Sequence, residues 1–134
     1  MANHAHGTFE ITMSPQPAQD GVGDPSVGRM AIHKQFHGDL EGIGNGQMLA
    51  VGTPVDGSAG YVAMERVTGT VHGRDGSFAL QHAGTLNRGT PQLSVTIVPD
   101  SGTEGLSGIA GRLEISIANG VHAYHLEYSL PDVP

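Results

Sequence analysis

Glu65, His82 and Lys34 are the residues of this chain whose types suit proton transfer and whose spacing takes them out of water. Each falls on the apolar phase of a segment that alternates with period two. Glu65 shares its phase with Tyr61, Ala63 and Val67, His82 with Phe78, Leu80 and Leu86, and Lys34 with Met30, Ile32 and Phe36. Successive side chains of a strand point to opposite faces, so all three are expected on buried faces. An unpaired buried carboxylate or ammonium costs several kcal/mol or more, so these groups pair with each other or meet a ligand. A buried carboxyl can have its proton affinity raised, and a neighbouring imidazole can exchange a proton with it. Glu65 and His82 are therefore the candidate acid and base for a proton shift, an elimination or a cyclisation. Lys34, Asn45, Gln47, Tyr61, Phe78, Tyr124 and Tyr128 are expected beside them as ligand-binding residues. A hydrogen-bonded network that only fixes strand register is the competing reading.

Other chemistry is poorly supported. His33 and His37 sit four residues apart on one strand, about 13 Å at ~3.3 Å per residue, too far for one ion. His122 and His125 point to opposite faces. With no cysteine in the chain, thiolate metal sites and disulfides are excluded. The segment Pro99-Asp100-Ser101-Gly102-Thr103-Glu104-Gly105 lacks the lysine of a phosphate loop and stands alone where an aspartic dyad needs two. It reads as a turn in which Asp100 and Ser101 bond their own backbone. No metal and no cofactor are expected.

Strands must position the candidate residues. Alternation interrupted by glycine-rich turns predicts strands near 5–14, 27–37, 40–51, 59–72, 76–87, 92–98, 108–118 and 122–130, with a loop over 16–26. Asn119-Gly120 suits a two-residue turn, because both residues tolerate positive φ. It sets Ile117 opposite His122, Ile115 opposite Tyr124, Leu113 opposite Leu126 and Gly111 opposite Tyr128. The other face then pairs Arg112 with Glu127 and Glu114 with His125. A second turn over Gly73-Arg74-Asp75-Gly76 predicts Val67 opposite His82, Glu65 opposite Gly84 and Gly69 opposite Leu80. Asn45 is expected opposite Glu65, with Ile43 between Lys34 and Val67. Eight sequential antiparallel strands can close on themselves, which removes exposed edges. The expected fold is all-β: a single eight-stranded antiparallel closed barrel over 1–134, with an open two-sheet sandwich as the second choice.

The composition narrows the partners. The chain has 134 residues, 13 Asp and Glu against 6 Lys and Arg, and a formal net charge of −7. Nucleic acid is not an expected partner, because affinity for phosphates comes mostly from cations. No apolar run approaches the roughly 20 residues of a membrane helix. The expected location is cytoplasmic.

Several segments carry a resemblance: GTFEI at 7–11, KQFHGDLEG at 34–42, GSAGYVAMERVTGTVHGRDGSFALQHAGT at 57–85, VPDSGTEGLSGIAG at 98–111 and YHLEYSL at 124–130. Together they resemble an uncharacterised bacterial domain-of-unknown-function family, number three-two-two-four. The resemblance implies a barrel like those of allene oxide cyclase and the dirigent proteins, which bind hydrophobic molecules inside and guide ring closure or radical coupling. It implies no activity, and no cyclase residue maps onto this chain. By the same analogy a homo-oligomer is expected. The functional expectation is a barrel binding a small apolar or aromatic metabolite. If it is an enzyme, it is a cofactor-independent isomerase or cyclase working through Glu65 and His82. A carrier or sensor, and a structural barrel filled by Phe36, Tyr61, Phe78, Leu80, Leu113 and Tyr124, are the alternatives.

Overall fold

The computed structural model describes residues 2–131. It is built of β1 (Asn3–Gln16), β2 (Gly28–Gly38), β3 (Leu40–Gly52), β4 (Ala59–Val71), β5 (Arg74–Asn87), β6 (Thr90–Ile97), β7 (Ala110–Ala118) and β8 (Val121–Ser129). Each strand pairs antiparallel with the next, and β8 returns to β1, so the sheet is a closed barrel. Among the described residues the one helical segment is a 3-10 turn at Glu104–Leu106, and no helix is long and apolar enough to cross a membrane.

The width of the barrel follows from its register. Starting at His4 and stepping through Glu127, Arg112, Thr96, Gln81, Met64, Gln47 and Ala31, the path returns to β1 at Ser14, ten residues along the strand. Eight strands staggered in this way enclose a lumen just wide enough for side chains or one small ligand.

Turn chemistry sets two of the registers. Asn119 and Gly120 both have positive φ, and the β7–β8 pairs, including Ile115 with Tyr124 and Arg112 with Glu127, are those expected from that turn. The β4–β5 turn instead uses His72-Gly73, also with both φ positive, and leaves Arg74 paired with Val71. The expected register is therefore corrected by four residues: Glu65 faces Leu80, Val67 faces Phe78 and Ala63 faces His82. A shift of four preserves side-chain parity, so every inward residue stays inward.

β3 required a correction of the other kind. Gly46, not Asn45, faces Glu65, and Gly44, not Ile43, lies between Lys34 and Val67. The shift is by one, so Asn45 and Gln47 point out of the barrel and are exposed. The reason is space. A Cβ on Gly44 would stand 2.5 Å from Glu65 Oε2 and 3.2 Å from the Phe36 ring. Glycine alone leaves those side chains room, and a glycine face gives no apolar signal in the sequence.

The two ends of the lumen differ. Phe36, Leu40, Val67, Val71, Phe78, Leu80, Leu113, Tyr124 and Leu126 fill one end, and Leu106 and Ile109 of the β6–β7 connection are buried with them. At the other end the inward phase carries Met13, Leu86, Leu93 and Ile117, all exposed, and Met30, Met48 and Tyr61, partly exposed. The barrel is thus packed at one end, while at the other, here called the mouth, its inward apolar side chains are exposed.

Candidate functional site

The boundary between packed end and mouth is occupied by three polar side chains. Lys34 (β2) is 4 % exposed, Glu65 (β4) 3 % and His82 (β5) 5 %. Cross-strand neighbours of one face lie within side-chain reach even one diagonal step apart, which brings His82 to Glu65 in the observed register. Lys34 reaches the same carboxylate across β3, over Gly44. Lys34 Nζ donates to Glu65 Oε1 at 2.7 Å, and His82 Nε2 donates to that same oxygen at 2.6 Å. The ammonium also lies 5.0 Å from the ring centre of Phe9 and 5.8 Å from that of Phe36, within cation–π range.

This geometry sets the charge state of the carboxyl. Burial alone would push the Glu65 carboxyl up. The His82 hydrogen bond and the Lys34 charge oppose it and prevail, so it is held below the usual carboxylate range. A carboxylate only accepts, so the proton of the His82 contact sits on Nε2, which leaves Nδ1 as the imidazole's remaining site for proton exchange. Glu65 Oε2 is buried without a hydrogen-bond partner, above the bare Cα of Gly44. Accessibility divides the roles further. The Lys34 and His82 side chains each retain 5 %, while that of Glu65 has none. Lys34 and His82 thus keep a slight contact with solvent, and Glu65 lies behind them.

A family model described as a protein of unknown function, DUF3224, matches residues 5–128. The chain belongs to the DUF3224 family. A DUF3224 protein of unknown function from Shewanella oneidensis MR-1, whose crystal structure is known at 1.84 Å resolution, is similar to it. The two are 41 % identical, with 99 % of this chain and 100 % of that one covered and a TM-score of 0.91. No curated protein matches.

Within this DUF3224 barrel the residues expected at the site separate into groups. Lys34, Glu65 and His82 converge, and Tyr61 stands nearer the mouth with its ring packed across Gly84. Phe78 is fully buried in the packed end. Tyr124 and Tyr128 face inward but spend their hydroxyls on structure. Tyr124 Oη accepts from the Leu40 amide at 2.9 Å and lies 3.0 Å from the His37 carbonyl, while Tyr128 Oη bonds His72 Nδ1. Asn45 is outside altogether, bonded to His33 Nδ1 at 2.7 Å. What the sequence reading missed was Gly44, and its signal was the run of alternate glycines at 42, 44 and 46. Ser101 behaves as its turn chemistry predicted, its hydroxyl donating to the Val98 carbonyl at 2.7 Å. Among the described residues, no three His, Asp or Glu side chains are grouped so as to hold a metal ion.

Proposed function

We propose that the mouth of the barrel binds a small apolar or aromatic molecule carrying one polar group, which meets Lys34 and His82 while the rest lies against Met30, Met48 and Tyr61. The observation that carries this reading is the buried Lys34–Glu65–His82 triad lying just beneath the exposed apolar side chains of the mouth. Perturbed ionisable groups in such a place mark sites more often than chance. Glu65 fixes the imidazole as its Nε2–H tautomer and balances the ammonium. His82 Nδ1 is then the atom able to take or give a proton, and Lys34 the group able to polarise a carbonyl or enolate oxygen. The chemistry this supports is a cofactor-independent proton shift or cyclisation; without turnover, the same contacts make a carrier. The packed end favours a second reading, a structural barrel whose triad only fixes register.

The test is ligand-observed and histidine-ring NMR with a set of small aromatic alcohols and ketones. Saturable binding that moves the His82 ring protons and is lost in His82→Leu and Lys34→Met supports the site. A set in which no member moves those protons favours the structural barrel. An enzyme would lose turnover in His82→Leu but not its fold, and a carrier would show no turnover to lose.

A further inference from the structure

The outer wall of β3–β6 near the mouth is not built like a surface meant for water. Val62 and Met64 are more than half exposed, and Leu49 and Val51 stand exposed beside them. The registers place the outward positions 47, 49 and 51 of β3 beside 64, 62 and 60 of β4, 81, 83 and 85 of β5, and 96, 94 and 92 of β6. None of these twelve positions is Asp, Glu, Lys or Arg, and neither are any of residues 42–55, 57–64, 77–87 and 89–99. A shallow groove of about 820 Å³ runs along this wall, lined by Val27, Leu49, Val51 and Val62 among others. Leu49, Val51, Val62 and Met64 make the β3–β4 half of this wall largely apolar, while its β5–β6 half is uncharged but carries Gln, Ser and Thr; exposed apolar patches mark interaction surfaces.

We propose that this face binds a second copy of the chain, in a twofold contact that sets patch against patch. Charge selects the occupant. The chain carries a net charge of −7, and the outer walls of β1, β7 and β8 present Glu10, Glu114 and Glu127. Arg112 stands among them, 3.4 Å from Glu127 and 3.8 Å from Glu114, so those walls set three carboxylates against one guanidinium, whereas the β3–β6 wall brings no charge of either sign. A nucleic acid, a lipid headgroup or a strongly charged protein finds no counter-charge there. A second copy sets the same uncharged wall, with its apolar β3–β4 half, against itself, as an isologous contact requires. At ~4.8 Å between strands and ~6.7 Å between same-face residues, twelve positions make about 400 Å² of wall per copy. Two copies together bury about 800 Å², below the ~1,200 Å² at which standard specific interfaces begin, so the dimer is weak and reversible and its population rises with concentration. The contact lies outside the lumen and is independent of the ligand reading above.

The test is sedimentation of the whole chain from about 10 µM to about 1 mM, a range that brackets weak specific association. The expected result is a monomer–dimer equilibrium whose dissociation constant rises about tenfold or more in Val62→Glu, with an unchanged far-ultraviolet spectrum. Ser116→Glu, on the opposite wall, adds the same charge and is expected to leave the constant near that of the parent. A parent chain that stays monomeric throughout overturns the proposal. So does a Val62→Glu protein that associates as the parent does, or a Ser116→Glu protein weakened as much as Val62→Glu.

Discussion

Glu65 is the residue on which the interior depends. Its single oxygen Oε1 serves both Lys34 and His82, so its loss strands an ammonium that is 4 % exposed. Removing one partner of a buried pair costs about 3–5 kcal/mol, more than the pair contributes against an apolar replacement. Glu65→Gln is therefore expected to lower unfolding free energy by a few kcal/mol at neutral pH, measured by urea denaturation. The pH dependence has a definite sign. The folded carboxyl is held below its ordinary value of 4.5, so its contribution is present in full above that pH and is lost as the pH falls through the lowered value. Glu65→Gln has no carboxyl to titrate and is expected to show a shallower loss of stability on acidification than the parent. An identical slope in both proteins would mean that other carboxylates govern the acid limb. Most of this site was legible in the sequence, because Lys34, Glu65 and His82 each break an apolar phase. Their convergence on one oxygen was not, since it depends on Gly44 leaving the space.

Elements in this fold are tied by turns and by side chains reaching across them. Tyr124 of β8, expected among the ligand-binding residues, uses its hydroxyl to strap the β2–β3 connection. Its hydroxyl accepts from Leu40 N–H and lies 3.0–3.1 Å from the carbonyls of His37 and Leu40. The strap passes over Gly7 of β1, where any Cβ would stand 2.5 Å from the Tyr124 hydroxyl. Tyr124→Phe keeps the ring and leaves the Leu40 amide buried without a partner, at a cost of about 1–3 kcal/mol. The expected signature is a lowered melting temperature with ligand binding at the mouth retained; loss of binding with unchanged stability would restore Tyr124 to the site. Strand existence was readable for all eight strands from alternation, and the inward phase of β2, β4, β5, β7 and β8 from alternation together with turn chemistry. β3 failed because Ile43, Leu49 and Val51 are outward and Gly42, Gly44 and Gly46 inward, the reverse of the usual pattern. The same inversion that misled the sequence reading builds the uncharged outer wall.

The closed barrel has one loose seam. β6 and β7 share a single registered pair, Thr96 with Arg112, whereas β7 and β8 pair along their full lengths. The cause is the long connection between them, which leaves the sheet to lay Ser101 and Thr103 along β5 and bury Leu106 and Ile109 at the packed end. Local opening follows the distribution of backbone hydrogen bonds and buried contacts. Native-state hydrogen exchange is expected to find amides of β6 and β7 that face each other exchanging well before those between β4 and β5. Uniform protection round the barrel would show that the buried connection compensates for the missing ladder.

Local chemistry in the sequence was enough for the strands, the Asn119-Gly120 turn, the inward phase of β2, β4 and β5, and the three polar residues among apolar neighbours. These depend on period-two geometry and positive-φ tolerance, which act over a few residues. Tertiary structure decided the phase of β3, the register at which β8 meets β1, and the division of the lumen into a packed end and an exposed one. Each of these weighs side-chain volumes contributed by strands far apart in the chain, and no local pattern records which neighbour will need the room.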